Sequence, residues 1–319
     1  MHSGNYFKRF LFIRYFLAVS LVAFNFNVIA DWWFLCNYQP PEEVTQLVDK
    51  AFLNNNGRRI FYLGNPQISD KQEFNQYCPI TERSLVLGCY SAGDIYVLKV
   101  KRPELDGVMQ VTAAHEMLHA AYDRLSKKEK ESINNELEEF YKTVTTPKLR
   151  QLISDYTQTD PTVRLNELHS ILPTQVKTLS PALETYYQRY FTNRGGVVTA
   201  YRHYEEVFTA LTQQIDSLQR EISTIRSGLS SIEADLVRQK TQIETTNREL
   251  EAYRRSGDIE AYNNLVPIQN QLVVTYNETV ERYVSLVEQH NQKVALVNRV
   301  ALEQNELADS LDSKKFEKL

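Results

Sequence analysis

From Tyr204 onward the apolar residues recur at alternating steps of four and three. The series is Phe208, Leu211, Ile215, Leu218, Ile222, Ile225, Leu229, Ile232 and Leu236, weakening at Gln239 and Thr246 but continuing through Ile243, Leu250 and Tyr253. A stripe with this 3.5-residue period commits the segment to a long helix that buries one seam against a partner helix. Ser256-Gly257-Asp258 interrupts the pattern, and a second heptad-repeating helix runs on to about Leu311. Two such helices joined by a glycine-containing turn predict an antiparallel coiled-coil hairpin. At 1.5 Å per residue over some 50 residues, the arm is about 75 Å long.

The second helix carries an additional repeat. Asn263, Asn270, Asn277, Asn291, Asn298 and Asn305 share one register, with Val284 replacing Asn once. Three residues after each come Val266, Val273, Val280, Val287, Val294, Ala301 and Ala308. Asn in a helix seam costs stability but fixes register and limits partner choice. Six in one register admit two readings: hydrogen-bonded Asn layers inside a wide hairpin seam, or a face that meets another chain or water. Pro267 is expected to kink or locally open this helix near the tip.

The other end of the chain reads as an export signal. Lys8, Arg9 and Arg14 precede an apolar run from Tyr15 to about Ala30, and no acidic residue occurs before Asp31. Such a start directs the rest of the chain across the cytoplasmic membrane. Val28-Ile29-Ala30 offers small residues for a signal peptidase. Against cleavage, Trp32-Trp33-Phe34-Leu35 extends the run with residues suited to a membrane interface. Both a cleaved signal and a single N-terminal anchor are open, so the protein is expected at the cell membrane with its bulk outside, or secreted. The formal charge of −4 gives no electrostatic case for nucleic-acid binding.

Three cysteines fit an exported chain. Cys78 and Cys89 flank a short segment and are candidates for a disulfide in an oxidising compartment, leaving Cys36 over; other pairings, or three free thiols, are the alternatives. No C-x-x-C spacing suggests a cysteine zinc site. Between residues 41 and 100 the pattern predicts a helix over Pro41–Phe52 ended by Asn54-Asn-Asn-Gly57, a strand over Arg59–Leu63, and a hairpin of Ser84–Leu87 and Asp94–Val100 around Ser91-Ala-Gly93. Helices are expected over Gly107–Leu125, Lys127–Val144, Pro147–Tyr156, Pro161–Leu172 and Ser180–Phe191. In the last of these, the Tyr186-Tyr187-Gln-Arg189-Tyr190-Phe191 cluster reads as core packing rather than as a source of an oxyanion-stabilising Tyr or Arg. The fold class is α+β and mainly helical. The expected boundaries are 1–35 for the signal or anchor, 36–200 for a compact domain, 201–312 for the coiled-coil hairpin and 313–319 for a tail.

The compact domain contains Thr112-Ala-Ala-His115-Glu116-Met-Leu-His119-Ala-Ala-Tyr-Asp123. The four-residue step puts both imidazoles of H-E-x-x-H on one helical face, within reach of one metal ion, and Glu116 beside it as a base for bound water. The uncharged flanks suit a buried helix; a surface helix with two solvated His would carry Lys, Glu or Gln there. Asp123, four residues beyond His119, is a candidate partner for an imidazole N–H or a solvated carboxylate near the helix end. Zinc requires a third protein ligand, and the segment Arg164-Leu-Asn166-Glu167-Leu-His169-Ser170-Ile is the best source.

These motifs, over about residues 94–191, resemble those of membrane-associated bacterial zinc metallopeptidases of the gluzincin type. The resemblance implies a zincin-like catalytic domain with a small sheet, a Zn2+ cofactor, a peptide or protein substrate, and Glu167 as third ligand beside His115 and His119. It also implies Glu116 as general base, and Asp94–Val100 as a strand lining the cleft and pairing with extended substrate; an interior structural strand is the other reading. This chain departs from the family pattern in placing His169 two residues after Glu167, as a rival ligand or, if Glu167 binds, a transition-state stabiliser; Asn166 joins Asp123 as a candidate for the supporting hydrogen bonds. The competing function is a non-catalytic envelope scaffold with a structural zinc site, whose coiled-coil arm binds a partner protein.

Overall fold

The computed structural model describes residues 29–78, 86–159 and 161–315, so the basic start, most of the apolar run, Ser84 and Leu85 of the expected hairpin, and residues 316–319 of the tail lie outside the described residues. The chain divides into two compact units, residues 1–207 with 307–319, and residues 208–306. It is mainly helical with one small mixed sheet. The boundaries therefore differ from the expected ones by several residues, and the end of the chain belongs to the first unit. Lys71 Nζ donates to the Asp309 carbonyl (2.6 Å) and the Lys315 carbonyl (2.7 Å), and Asn75 to the Ser313 carbonyl (2.7 Å), which docks residues 309–315.

The first unit opens with helix α1 over residues 29–37, then α2 (Glu42–Lys50), α3 (Asn55–Leu63), β1 (Gln67–Ser69) and α4 (Lys71–Tyr77). Strands β2 (Gly88–Ser91) and β3 (Asp94–Leu98) lead into α5 (Val108–Asp123), α6 (Lys127–Thr143), α7 (Pro147–Thr159), α8 (Arg164–Gln175) and α9 (Pro181–Tyr187). Helix α5 is the centre, packed against α2, α3, α8, β2 and β3. Ala113, Ala114, Ala120 and Ala121 are buried along it and let these neighbours approach on several sides. No helix among the described residues is long and apolar enough to cross a membrane.

Three expectations are corrected here. The Arg59–Leu63 segment is not a strand but the second half of α3. The Asn54 side chain accepts from Asn56 N (2.9 Å) and Gly57 N (3.0 Å), so the Asn-rich run starts a helix rather than stopping one. Gly57 supplies closeness there, since a Cβ would lie 2.3 Å from the Tyr190 carbonyl oxygen. The hairpin's first strand lies at Gly88–Ser91, directly beside the turn, because Ala92 (φ 53°) and Gly93 (φ 94°) form a two-residue loop with both residues left-handed. Finally, the strand order β1-β3-β2 makes β3 the middle strand, paired parallel to β1 and antiparallel to β2. Both of its edges are used, so Asp94–Val100 cannot receive an extended substrate, and β2 is the edge strand that contacts α5. The Cys78–Cys89 disulfide forms, joining the end of α4 to β2, and Cys36 is free and exposed.

The second unit is made of residues 208–306 of α10 (Arg194–Ser256) and α11 (Ile259–Leu311), joined by a turn at Gly257 (φ 78°), and α11 stays helical through Pro267. Side-chain contacts run antiparallel: Gln304 to Thr212, Lys293 to Glu221, Tyr283 to Glu233, Gln239 to Thr279 and Gln269 to Asn247. Every pair straddles residue 258 almost symmetrically, as strict register requires. On α10 the seam follows the expected heptads. On α11 it follows Leu272, Tyr276, Thr279, Tyr283, Leu286, Val297, Val300 and Leu307 rather than the Asn register, whose members are all exposed.

The end of α8 carries a compensated defect. Pro173 lies inside the helix and has no N–H for the His169 carbonyl one turn earlier. The Tyr187 hydroxyl donates to that carbonyl instead (2.9 Å), from a fully buried position. Replacing Tyr187→Phe strands a buried acceptor and is expected to cost about 1–3 kcal/mol. A lower urea midpoint at unchanged slope would show it; an unchanged midpoint would mean the hydroxyl is not needed.

Candidate metal centre

Helix α5 is started by Gly107, which is left-handed (φ 108°) and lies so close to α10 that a Cβ would fall 2.6 Å from the Ala200 carbonyl oxygen. The Gln110 side chain accepts from Gly107 N (3.1 Å) and donates to Asp106 (2.9 Å), fixing the first turn. Two turns later, His115 and His119 project from the face that α8 covers. Helix α8 supplies Glu167.

The three donor groups converge. His115 Nε2 and His119 Nε2 are 2.9 Å apart, and the Glu167 oxygens lie 3.7 Å from the first and 3.6 Å from the second. Tetrahedral zinc at about 2.0–2.2 Å from N and O donors separates its ligand atoms by about 3.4 Å. The two nitrogens are closer than that and the contacts to the two different Glu167 oxygens slightly wider, so the three side chains form a group that could hold a metal ion. The side chains of His115, His119 and Glu167 retain 17%, 11% and 11% of their exposure, so the cluster is sheltered but not sealed.

Neighbouring groups prepare these donors. Asn166 Oδ1 lies 2.9 Å from His119 Nδ1, and Ser170 Oγ lies 3.3 Å from the same nitrogen. With Nδ1–H donated to Asn166, the lone pair of His119 is on Nε2, toward the other two ligands. Burial lowers the His119 pKa to about 4, against the Asn166 hydrogen bond, which raises it. Burial, then the neighbouring His119 and His169, push His115 well below 6.5. Both rings are neutral near pH 7, the state a metal ligand requires.

Glu116 is buried beside β2. A Cβ on Gly88 would come within 2.8 Å of Glu116 Oε1 and 2.5 Å of Thr112 Cγ2, so only glycine lets the edge strand lie this close to the acid. The structure therefore brings His115, His119, Glu167 and Asn166 together, with Glu116 one residue from the first ligand. It does not bring Asp123 to the imidazoles. Helical side chains lean toward the N-terminus, so His119 reaches back toward His115, while Asp123 is exposed and accepts from the Tyr90 hydroxyl (3.4 Å). His169, about 200° around α8 from Glu167, is fully buried; its Nε2 lies 2.9 Å from the Tyr186 hydroxyl, among the rings of Tyr122, Tyr186, Tyr187 and Tyr190. Burial first, then His119, lowers its pKa to about 3. The Tyr186–Phe191 cluster is largely core, as its composition suggested. Ser170 and Gly88 were not foreseen; the signals were Ser170 three residues after Glu167 on one helical face, and a glycine within a strand.

No match emerges from the comparisons. No protein-family model matches the chain, and no curated protein or solved structure is significantly similar to it.

The three lowered imidazoles couple stability to pH. Below 6.5 the unfolded chain binds protons at these rings while the folded chain does not until about pH 4 or lower, so stability is full above 6.5 and falls as pH falls. The chelated protein should lose up to about 1.4 kcal/mol per pH unit for each such ring between pH 6.5 and 5. Urea unfolding across that range checks this, and a flat profile would contradict the neutral-imidazole reading.

Proposed function

We propose that the chain is a zinc-dependent peptidase of zincin-like build, carrying a coiled-coil hairpin and acting outside the cytoplasmic membrane. The observation that carries the reading is the His115–His119–Glu167 triangle with Glu116 in the same turn as the first ligand. Bound zinc would supply a Lewis acid that polarises the scissile carbonyl and acidifies a water. Glu116 takes the proton of that water and returns it to the leaving amine. Asn166 and Ser170 hold the His119 ring, so its Nε2 stays aimed at the site. The edge strand β2, with Gly88 against Glu116, is the segment that would lay an extended substrate backbone beside the acid, the role expected at first for β3.

A scaffold with structural zinc would need a fourth protein donor. Among the described residues, no further His, Cys, Asp or Glu joins the cluster, which supports a water-bearing site. Two features support an address outside the cytoplasm. The Cys78–Cys89 disulfide suits an oxidising compartment. Ile29, Trp32 and Trp33 form an exposed apolar face on α1, directly after the apolar run.

Glu116→Gln should retain about one zinc per chain, the stoichiometry of a single three-ligand site, and lose at least about 100-fold in hydrolysis of a responsive peptide. Metal analysis and a fluorogenic peptide assay on the same preparation test both halves. Wild-type cleavage by the variant would overturn the assignment.

A further inference from the structure

Helix α11 carries two heptad stripes; α10 packs on one, and the outer, Asn-bearing side of the other stays exposed. The used seam runs through Leu272, Tyr276, Thr279, Tyr283, Leu286, Val297 and Val300. The other runs parallel to it, about 100° around the helix, and consists of the Asn register with the Val and Ala register three residues later. Its fourteen positions, from Asn263 to Ala308, hold six Asn, six Val and two Ala and not one charge. The rest of α11 carries ten charged residues, Glu260, Glu278, Glu281, Arg282, Glu288, Lys293, Arg299, Glu303, Glu306 and Asp309. All seven positions of the Asn register are exposed, Val284 at 58%; of the Val and Ala register Val273 is exposed, at 38%, and the other six positions are half-buried, so the Asn side of the stripe is the open one.

A face that only met water would have no reason to exclude charge over 45 residues, nor to repeat every seventh residue. The spacing of three then four is that of a coiled-coil core, with Asn in the position where a polar amide selects register and strand number. The amide is both donor and acceptor, so an Asn layer is satisfied by its own image across a two-fold axis. The stripe is about 68 Å long at 1.5 Å per residue. At roughly 10 Å wide, the diameter of one helix, it would bury about 1,300 Å² in total between two copies, within the range of stable interfaces.

We propose that this second seam of α11 is a homodimer interface, in which α11 of a second copy packs in parallel and in register, Asn against Asn and Val against Val. The interface goes beyond the peptidase reading and does not depend on it. It is tested on the full chain in detergent with Cys36→Ser as background. Multi-angle light scattering should give a dimer. Oxidation should link Asn277→Cys and Asn298→Cys each to its own image, while Arg282→Cys, on the far side of the same helix, should not cross-link. The triple variant Asn277→Glu, Asn291→Glu and Asn298→Glu places like charges in three facing layers. It should weaken self-association at least tenfold while the helical circular dichroism stays unchanged. A monomeric wild type at micromolar concentration, cross-linking of Arg282→Cys as readily as Asn277→Cys, or a dimer that survives the triple variant would each overturn the proposal.

Discussion

The candidate site depends on α8 lying along α5 in one rotational setting, and the buried Arg194 guanidinium, paired with the half-exposed Glu184, is what holds the far end of α8 in place. Arg194 bonds Glu184 with both Nε and Nη2, and it donates to the carbonyls of Pro173 (2.9 Å), Val176 (2.8 Å) and Lys177 (2.9 Å). These carbonyls lie where a helix runs out of its own donors, so one guanidinium replaces the missing turn. Tyr187 repairs the gap left by Pro173 on the same stretch. With its C-terminal turns fixed in this way, α8 presents Glu167 to the two imidazoles and turns His169 into the tyrosine cluster. A rotation large enough to exchange those two residues would strand the Arg194 and Tyr187 hydrogen bonds together.

Much of this was legible because the responsible signals are local. The H-E-x-x-H spacing and the heptads of α10 each declare themselves within a few residues, and the structure places helices there. Helical geometry lets only one of Glu167 and His169 face the two imidazoles, and the family resemblance pointed to Glu167; the packing of His169 among the tyrosines of and beside α9 is what no local signal announces. What stayed illegible came from contacts between distant segments. Asn54 could end one helix or start another, and the Tyr190 carbonyl seated over Gly57 decides for a start. Strand β3 had two readings, a substrate-pairing strand implied by the resemblance and an interior strand, and nothing local announces that the short β1 pairs with its far side and decides for the second. Asp123 had the right spacing for a supporting acceptor but the wrong side of His119.

The arm makes the same point about the limits of periodicity. Two heptad stripes coexist on α11, one rich in Leu and Tyr and one in Asn and Val, and a count of repeats cannot say which faces α10. The antiparallel register resolves it, because Gln239 meets Thr279 and Glu233 meets Tyr283 on the first stripe. The Asn register of the second stripe is then left exposed and uncharged, which is the observation behind the proposed self-association. Site and arm are thus separable: the chemistry proposed for the first unit rests on three donors and an acid and not on what the arm binds.

The most direct test of the central claim is X-ray absorption at the zinc edge on protein loaded with one metal ion per chain. The account predicts four light-atom neighbours at about 2.0–2.1 Å, two of them imidazoles by their outer-shell scattering. It further predicts an altered spectrum in Glu167→Ala, from loss of the carboxylate oxygen, and an unchanged spectrum in His169→Gln. A third imidazole in the wild type, or a spectrum altered by His169→Gln and not by Glu167→Ala, would contradict it.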